Sequence, residues 1–234
     1  MMNRMRKILL SWSSGKDSAW ALHVLRQQRQ YEIAGLLTTI NSAFDRVAMH
    51  STRRTLLEMQ AKAAGLPLTV APLPWPCSNT DYELAMKRVC DQALAQGIEA
   101  IAFGDLFLTD VRAYRERQLA GTGLEPLFPL WKIPTAQLAR EMVDSGLRAK
   151  LVCVDPIQLS PDFVGREFDH SLLKELPAGV DPCGEKGEFH SFVYGGPMFG
   201  QEINISQGEK VERDGFWFCD LLPAATPALS GDRT

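Results

Sequence analysis

The first hundred residues alternate between two periodicities. An apolar run, "KILLSW" (Lys7–Trp12), gives way to a stretch in which Trp20, Leu22 and Leu25 recur at helical spacing beside Ala19 and Val24. "YEIAGLLTTI" (Tyr31–Ile40) is apolar and rich in β-formers, and "RRTLLEMQAKAAG" reads as a helix closed by Gly65. "LPLTVAPLP" is a strand, and "DYELAMKRVCDQALAQG" is a helix with Asp81 or Thr80 near its N-cap and Gly97 at its end. "IEAIAFGD" is a strand that stops at a Gly-Asp turn. The order β-α-β-α-β-α-β predicts an α/β fold, a parallel sheet with helices on both faces. Ligands of such sheets sit at the carboxyl ends of the strands.

The pattern changes after about residue 130. "PTAQLAREMVDSG" is a helix with Pro134 near its start, "RAKLVCVD" a strand and "FDHSLLKELPAG" a short helix. From Gly184 glycine and aromatics dominate, and "GEFHSFVYGG", "EINISQG", "KVERDG" and "FWFCDLLP" read as short strands joined by glycine turns. The expected organisation is an α/β domain over 1–130, a smaller α+β domain over 131–222, and a disordered tail over 223–234.

Composition narrows the function classes. The chain has 234 residues, 45% of them hydrophobic, enough for a substantial core. Its net charge of −3 carries no basic surplus of the kind a nucleic-acid footprint needs. No apolar run reaches membrane-spanning length. The N-terminal apolar stretch is too short for a signal peptide, so a cytoplasmic protein is expected. The five cysteines are odd in number, widely spaced and without a C-x-x-C pair, which points to reduced thiols rather than a disulfide framework or zinc ribbon.

Candidate chemistry begins where the first strand ends. "SSGKDS" (Ser13–Ser18) lies between a strand and a helix, where unpaired backbone N–H groups and the helix dipole attract an anion. Ser13, Ser14 and Ser18 add hydroxyls, Gly15 permits close backbone approach, and Lys16 adds positive charge. A Walker A loop is excluded, because Leu10 stands where its first glycine belongs and Asp17 where its magnesium hydroxyl belongs. The dinucleotide fingerprint is also missing. Gly104 and Asp105 close the fourth strand, which would bring Asp105 into the same cleft. A carboxylate there can hold Mg²⁺ against phosphate, or simply cap a turn. Downstream, Arg112, Arg115 and Glu116 fall on a helix, where Arg112 and Glu116 at i,i+4 can pair. His50, Arg53 and Arg54 follow the second strand, either as core or surface residues or as a segment over a nucleotide. "CGEKGEFHSFVYGGP" (Cys183–Pro197) packs Glu185, Glu188 and His190 among four glycines, either as a ligand site or as a glycine-rich hairpin.

The loop resembles the PP-loop of ATP pyrophosphatases, usually SGGxDS, with Ser14 in place of the first glycine. Together with "FGDLFLTDVRAYRE", "GLEPLFPLW" and "CGEKGEFHSFVYGGP", it makes the chain similar, from about Lys7 to Phe199, to the diphthine–ammonia ligase family. The last motif is the specific one. It reads "CGEKGEFHSFV" where archaeal and eukaryotic ligases tend toward "EGGEYETLV", and Gly195 stands where relatives often have aspartate. Both departures are of bacterial type. The resemblance implies a HUP-type (Rossmann-like) parallel sheet and a C-terminal domain closing the cleft. It also implies ATP and Mg²⁺, a carboxylate substrate that is either a small molecule or a modified protein side chain, and ammonia. The carboxylate would attack the α-phosphate and expel pyrophosphate, and ammonia would then displace AMP.

By the same resemblance, the nucleotide would be held by Ser13, Ser14, Gly15, Lys16, Asp17, Ser18, His50 and Gly104, and Mg²⁺ by Asp17 and Asp105. Substrate would meet Arg112, Arg115, Glu185, Glu188 and His190. Lys16, Asp17, Asp105 and Glu188 would carry the catalysis. Three alternatives compete: a PP-loop tRNA thiolation enzyme using Cys77 or Cys183, a non-catalytic adenine-nucleotide-binding protein, and a glutamine-dependent amidotransferase. No N-terminal nucleophilic cysteine supports the last. The acceptor's identity and the oligomeric state, a homodimer included, are left open.

Overall fold

The computed structural model describes residues 4–47 and 52–224. Two sheets organise them. The first has five strands, β1 (Arg6–Ser11), β2 (Tyr31–Asn41), β3 (Leu68–Leu73), β4 (Ala100–Ala102) and β5 (Glu125–Leu127), in the order β3-β2-β1-β4-β5 and parallel throughout. Helices α1 (Lys16–Gln28), α2 (Arg54–Ala64), α3 (Asn79–Ala95) and α4 (Thr109–Leu119) connect them. Alternation along β1 explains the two-sided cover. Ile8 and Leu10 join one core with Ala19, Leu22 and Leu57, while Leu9 joins a second with Val89, Ala93 and Leu119. The chain winds outward from β1 to β3, then crosses back to β4 on the other side of β1. That reversal opens a crevice between the carboxyl ends of β1 and β4.

The second sheet is antiparallel, in the order β7-β6-β9-β8, from β6 (Arg148–Val154), β7 (Phe189–Gly195), β8 (Ile205–Arg213) and β9 (Phe216–Pro223). Helices α5 (Thr135–Asp144) and α6 (His170–Glu175) accompany it. Leu151, Phe192 and Val193 of this sheet belong to the same core as Ile8 and Leu22. The two sheets therefore share one apolar interior on the α1–α2 side. No helix among the described residues is long and apolar enough to cross a membrane.

Three details differ from the sequence pattern. β5 was not expected, because Pro126 interrupts its pattern. It lies at the sheet edge, where a missing N–H removes no ladder bond. "EINISQG" and "KVERDG" are one strand, β8, with a register irregularity between Gln207 and Lys210 that absorbs Gly208. The N-cap of α3 is Ser78, whose hydroxyl accepts from the Asp81 N–H while Asp81 accepts from the Ser78 N–H, a capping box.

Candidate active site

The serine–glycine loop leaves β1 and enters α1 with Gly15 as the N-cap. Ser14 holds φ 73, a left-handed conformation that costs a non-glycine residue roughly 1–2 kcal/mol. Tertiary contacts hold it there. The Ser14 hydroxyl pairs with that of Thr52 at 2.8 Å, and its carbonyl accepts from the Val193 N–H and from Gln60 Nε2, each at 3.0 Å. Gln60, fully buried, also accepts from Trp12 Nε1 at 2.8 Å and donates to the Val193 carbonyl at 2.7 Å. The Lys16 N–H donates to Ser191 Oγ at 3.1 Å. The middle of β7 thus docks on the loop and holds its shape.

Opposite the loop stands the end of β4. Gly104 is required by packing: a Cβ there would lie 2.8 Å from the Asp17 carbonyl carbon. That approach sets Asp105 beside α1. The third wall is the 181–190 segment, folded on two carboxylates. Asp181 accepts from the Cys183 N–H and from the Thr135 hydroxyl, and Glu188 accepts from the Asp181 and Lys186 N–H groups. Gly184, at φ 66, passes so close to the Phe189 carbonyl that a Cβ would lie 2.7 Å from its oxygen.

These walls enclose a polar cleft of about 290 Å³, lined by Ser13, Ser18 and Gly104 and by the charged or polar side chains of Lys16, Asp17, Asp105, Arg115, Glu185 and His190. A second cavity of about 310 Å³ adjoins it, bounded by Leu37, Thr39, Val47, Met86 and Ile101 among others. Its apolar floor and threonine edge suit a planar heterocycle.

Electrostatics in the cleft are strongly perturbed. Lys16 is 2% exposed, and its Nζ donates to Asp17 Oδ2 at 2.9 Å and to the Cys183 carbonyl, with the rings of Phe189 and Phe168 at 5.3 and 5.7 Å. Burial pulls its ammonium down, but Asp17 together with Cys183 and Glu185 outweighs this and holds it above its ordinary value. Burial raises the carboxyls of Asp17 and Asp105, opposed by Lys16 and Arg115 respectively. Glu185, which accepts from the Leu106 N–H at 2.8 Å, is pushed up by burial to about 7. Burial, with Lys16 adding to it, pushes His190 down to about 4, so its imidazole is neutral. Perturbation of several groups in one cleft marks a functional site.

Some residues singled out by sequence lie elsewhere. Ser14 turns its hydroxyl to Thr52, away from the cleft. Arg112 stacks over Phe128 and Trp131 at 4.7 and 4.8 Å and pairs with Glu116 at 2.7 Å. Glu188 is buried with both oxygens committed to backbone N–H groups, so it shapes the wall rather than facing the cleft. Arg53 pairs with Asp220 of β9, and Arg54 with Glu58. His50 lies outside the described residues. Sequence reading missed Gln60, Ser191 and Asp181, each polar and buried. Gln60 carries no sequence signal, because glutamine in a helix reads as solvent-facing.

The fold and the cleft define an α/β protein with a serine–glycine loop at a topological switch point, covered by a second sheet. The chain belongs to the diphthamide synthase family: residues 5–126 match the diphthamide synthase N-terminal domain and residues 134–222 the diphthamide synthase C-terminal domain. Similar proteins include diphthine–ammonia ligases from three organisms. That of Schizosaccharomyces pombe is 27% identical over 235 residues, covering 92% of this chain and 38% of the yeast protein. That of Danio rerio is 30% identical over 176 residues, 66% of this chain and 67% of the fish protein. That of Bos taurus is 26% identical over 224 residues, 85% of this chain and 82% of the bovine protein. The chain thus spans well under half of the yeast relative.

Proposed function

We propose that this protein is an ATP-dependent ligase that adenylates a carboxylate and converts it to an amide with ammonia. The observation that carries the reading is the cleft itself. A buried lysine, two carboxylates with unmatched oxygens and a glutamate near neutrality share one cavity beside a second pocket of nucleoside size.

In this reading the α/β portion, residues 1–130, holds ATP, with the phosphate chain along Ser13–Ser18 and the nucleoside over Leu37 and Thr39. A substrate carboxylate oxygen attacks the α-phosphorus, the bond to the bridging oxygen of the β-phosphate breaks, and pyrophosphate leaves. Such a step needs charge neutralisation rather than covalent help from the protein. Lys16, fixed by Asp17 and the Cys183 carbonyl, supplies permanent charge at the leaving end. The residues also fit Mg²⁺, which takes one or two carboxylates and completes its shell with phosphate and water. Asp17 Oδ1 and Asp105 Oδ2 are buried without hydrogen-bond partners, and these are the residues that would hold it. An ion held there would supply charge neutralisation to the phosphates. The C-terminal portion, residues 131–222, supplies the second half-reaction. Ammonia attacks the acyl carbon, the bond to AMP oxygen breaks, and Glu185 takes the proton released from nitrogen.

The thiols support this reading over sulfur transfer. Cys183 is buried, donates to the Thr135 carbonyl at 3.5 Å and is raised by burial, which keeps it a thiol, while Cys77 does not line the cleft. The test is pyrophosphate release from ATP with ammonium and a panel of acids, diphthine-bearing protein among them. Lys16→Ala is expected to cut turnover by roughly 10²–10³. A Lys16→Ala protein with undiminished ATP cleavage overturns the assignment.

A further inference from the structure

The two cavities share five lining residues among those described: Ser11, Ser13, Phe103, Arg115 and His190. If phosphates occupy one cavity and the nucleoside the other, the group at their seam is the α-phosphate, the atom where the proposed reaction occurs. Of the five, Arg115 is the one that brings a positive charge and a planar fork of N–H donors.

Its surroundings are unusual for a half-buried arginine. Arg115 Nε lies 3.6 Å from Asp105 Oδ2, too far for a hydrogen bond, and both atoms are buried without a hydrogen-bond partner. Such orphans cost free energy unless a third group completes them. The guanidinium is meanwhile held in place, 5.1 Å from the ring centre of Phe103 and 5.9 Å from that of Tyr114. A cation and an anion left just out of bonding range suit separate partners, an anionic oxygen for Arg115 and a cation for Asp105. Arg112, three residues earlier, cannot serve, because its charge is committed to Glu116 and two aromatic faces.

We propose that Arg115 is a catalytic residue that donates to a non-bridging oxygen of the α-phosphate of the bound nucleotide and stabilises charge there as pyrophosphate departs. Asp105 parks it until nucleotide binds. The proposal rests on the reading of the protein as an ATP-cleaving ligase and adds to it the residue that acts at the reacting phosphorus.

The experiment uses the full-length protein with ATP and with the two diastereomers of ATP carrying sulfur on the α-phosphate. Sulfur is a poorer acceptor than oxygen, so an arginine contact to one non-bridging position makes the wild-type rates on the isomers unequal. Arg115→Lys is expected to lower kcat roughly 10²–10³-fold, by analogy with losing one oxyanion donor, with a much smaller change in KM for ATP. It is also expected to narrow the isomer ratio. A residue that only shapes the cleft leaves that ratio unmoved whatever the loss of rate, and this outcome overturns the proposal. Arg115→Gln, measured for nucleotide binding by calorimetry, guards against misfolding: retained binding with lost turnover supports the role, and retained turnover overturns it. If wild type releases no pyrophosphate from ATP with any acid, the ligase reading fails and this role with it. If wild type turns over and both variants match it, the role of Arg115 alone fails.

Discussion

At the scale of the residue, Glu185 is the most informative titrating group. It faces Asp17 and Asp105, which raise its pKa, and Lys16, which lowers it, but burial is the largest influence and brings it from 4.5 to about 7. The folded state therefore binds its proton more tightly than the unfolded chain between those values. The stability this contributes is full below pH 4.5 and is lost as pH rises through about 7. Glu185→Gln keeps the group neutral, so the fall in urea midpoint between pH 5 and pH 8 is expected to flatten in the variant. A fall as steep as in wild type contradicts the burial argument. If Glu185 is also the proton acceptor, the ammonia-dependent rate of wild type climbs across the same interval. Much of this site was legible in the chain. Ser13, Lys16, Asp17, Ser18, Asp105, Glu185 and His190, which line the cleft, all stand at a strand end or in a motif visible in the chain. Which glutamate faces the cleft was not legible. Glu185 and Glu188 are three apart in a glycine-rich segment whose folding depends on Asp181 and Thr135.

At the scale of the element, strand and helix patterns supplied most of the fold, but they passed over β5, whose Pro126 hides an edge strand, and split β8 in two at its glycine. What they could not supply is the brace between elements. Gln60 on α2 joins the Trp12 indole, the Ser14 carbonyl and the Val193 carbonyl, tying β1's exit loop to β7. Gln60→Leu leaves the buried Trp12 indole N–H without its partner, at a cost of about 1–3 kcal/mol, and removes one of the two donors to the Ser14 carbonyl. Such a variant is expected to unfold at clearly lower urea and to lose nucleotide affinity, because Ser14 is then less firmly held at its positive φ. Unchanged stability on equilibrium unfolding means the brace is not structurally important. Gly104 shows the same dependence. The Gly-Asp turn is visible in sequence, but the reason for glycine is the backbone of α1 lying against it.

At the scale of the whole molecule, the first sheet and the second share one apolar interior, and β7 touches the serine–glycine loop directly. A division near residue 130 separates the two sheets along the chain, while Leu151, Phe192 and Val193 beyond it share a core with Ile8 and Leu22 before it. Calorimetry on the full chain is expected to give a single transition with equal calorimetric and van't Hoff enthalpies. Two resolved transitions contradict a shared core. The same closeness explains why the site needs both parts of the chain: Lys16 is anchored to the Cys183 carbonyl and capped by Phe168 and Phe189, all beyond residue 130.

The amino-acid sequence by itself determined the alternation of strands and helices, the parallel first sheet and the serine–glycine loop after β1. It also placed a second motif rich in glutamate and glycine in the C-terminal portion. These follow from local rules, since periodicity, turn chemistry and strand-end position are properties of neighbouring residues. Only the tertiary structure decided which of those polar side chains meet. It turned Ser14 to Thr52, Arg112 to Phe128 and Trp131, and Glu188 to its own loop, and it left Lys16, Asp17, Asp105, Arg115 and Glu185 around one cavity. The physical reason is that a buried polar group is oriented by whatever partner satisfies it, and one such partner, Ser191 for the Lys16 N–H, lies 175 residues away along the chain.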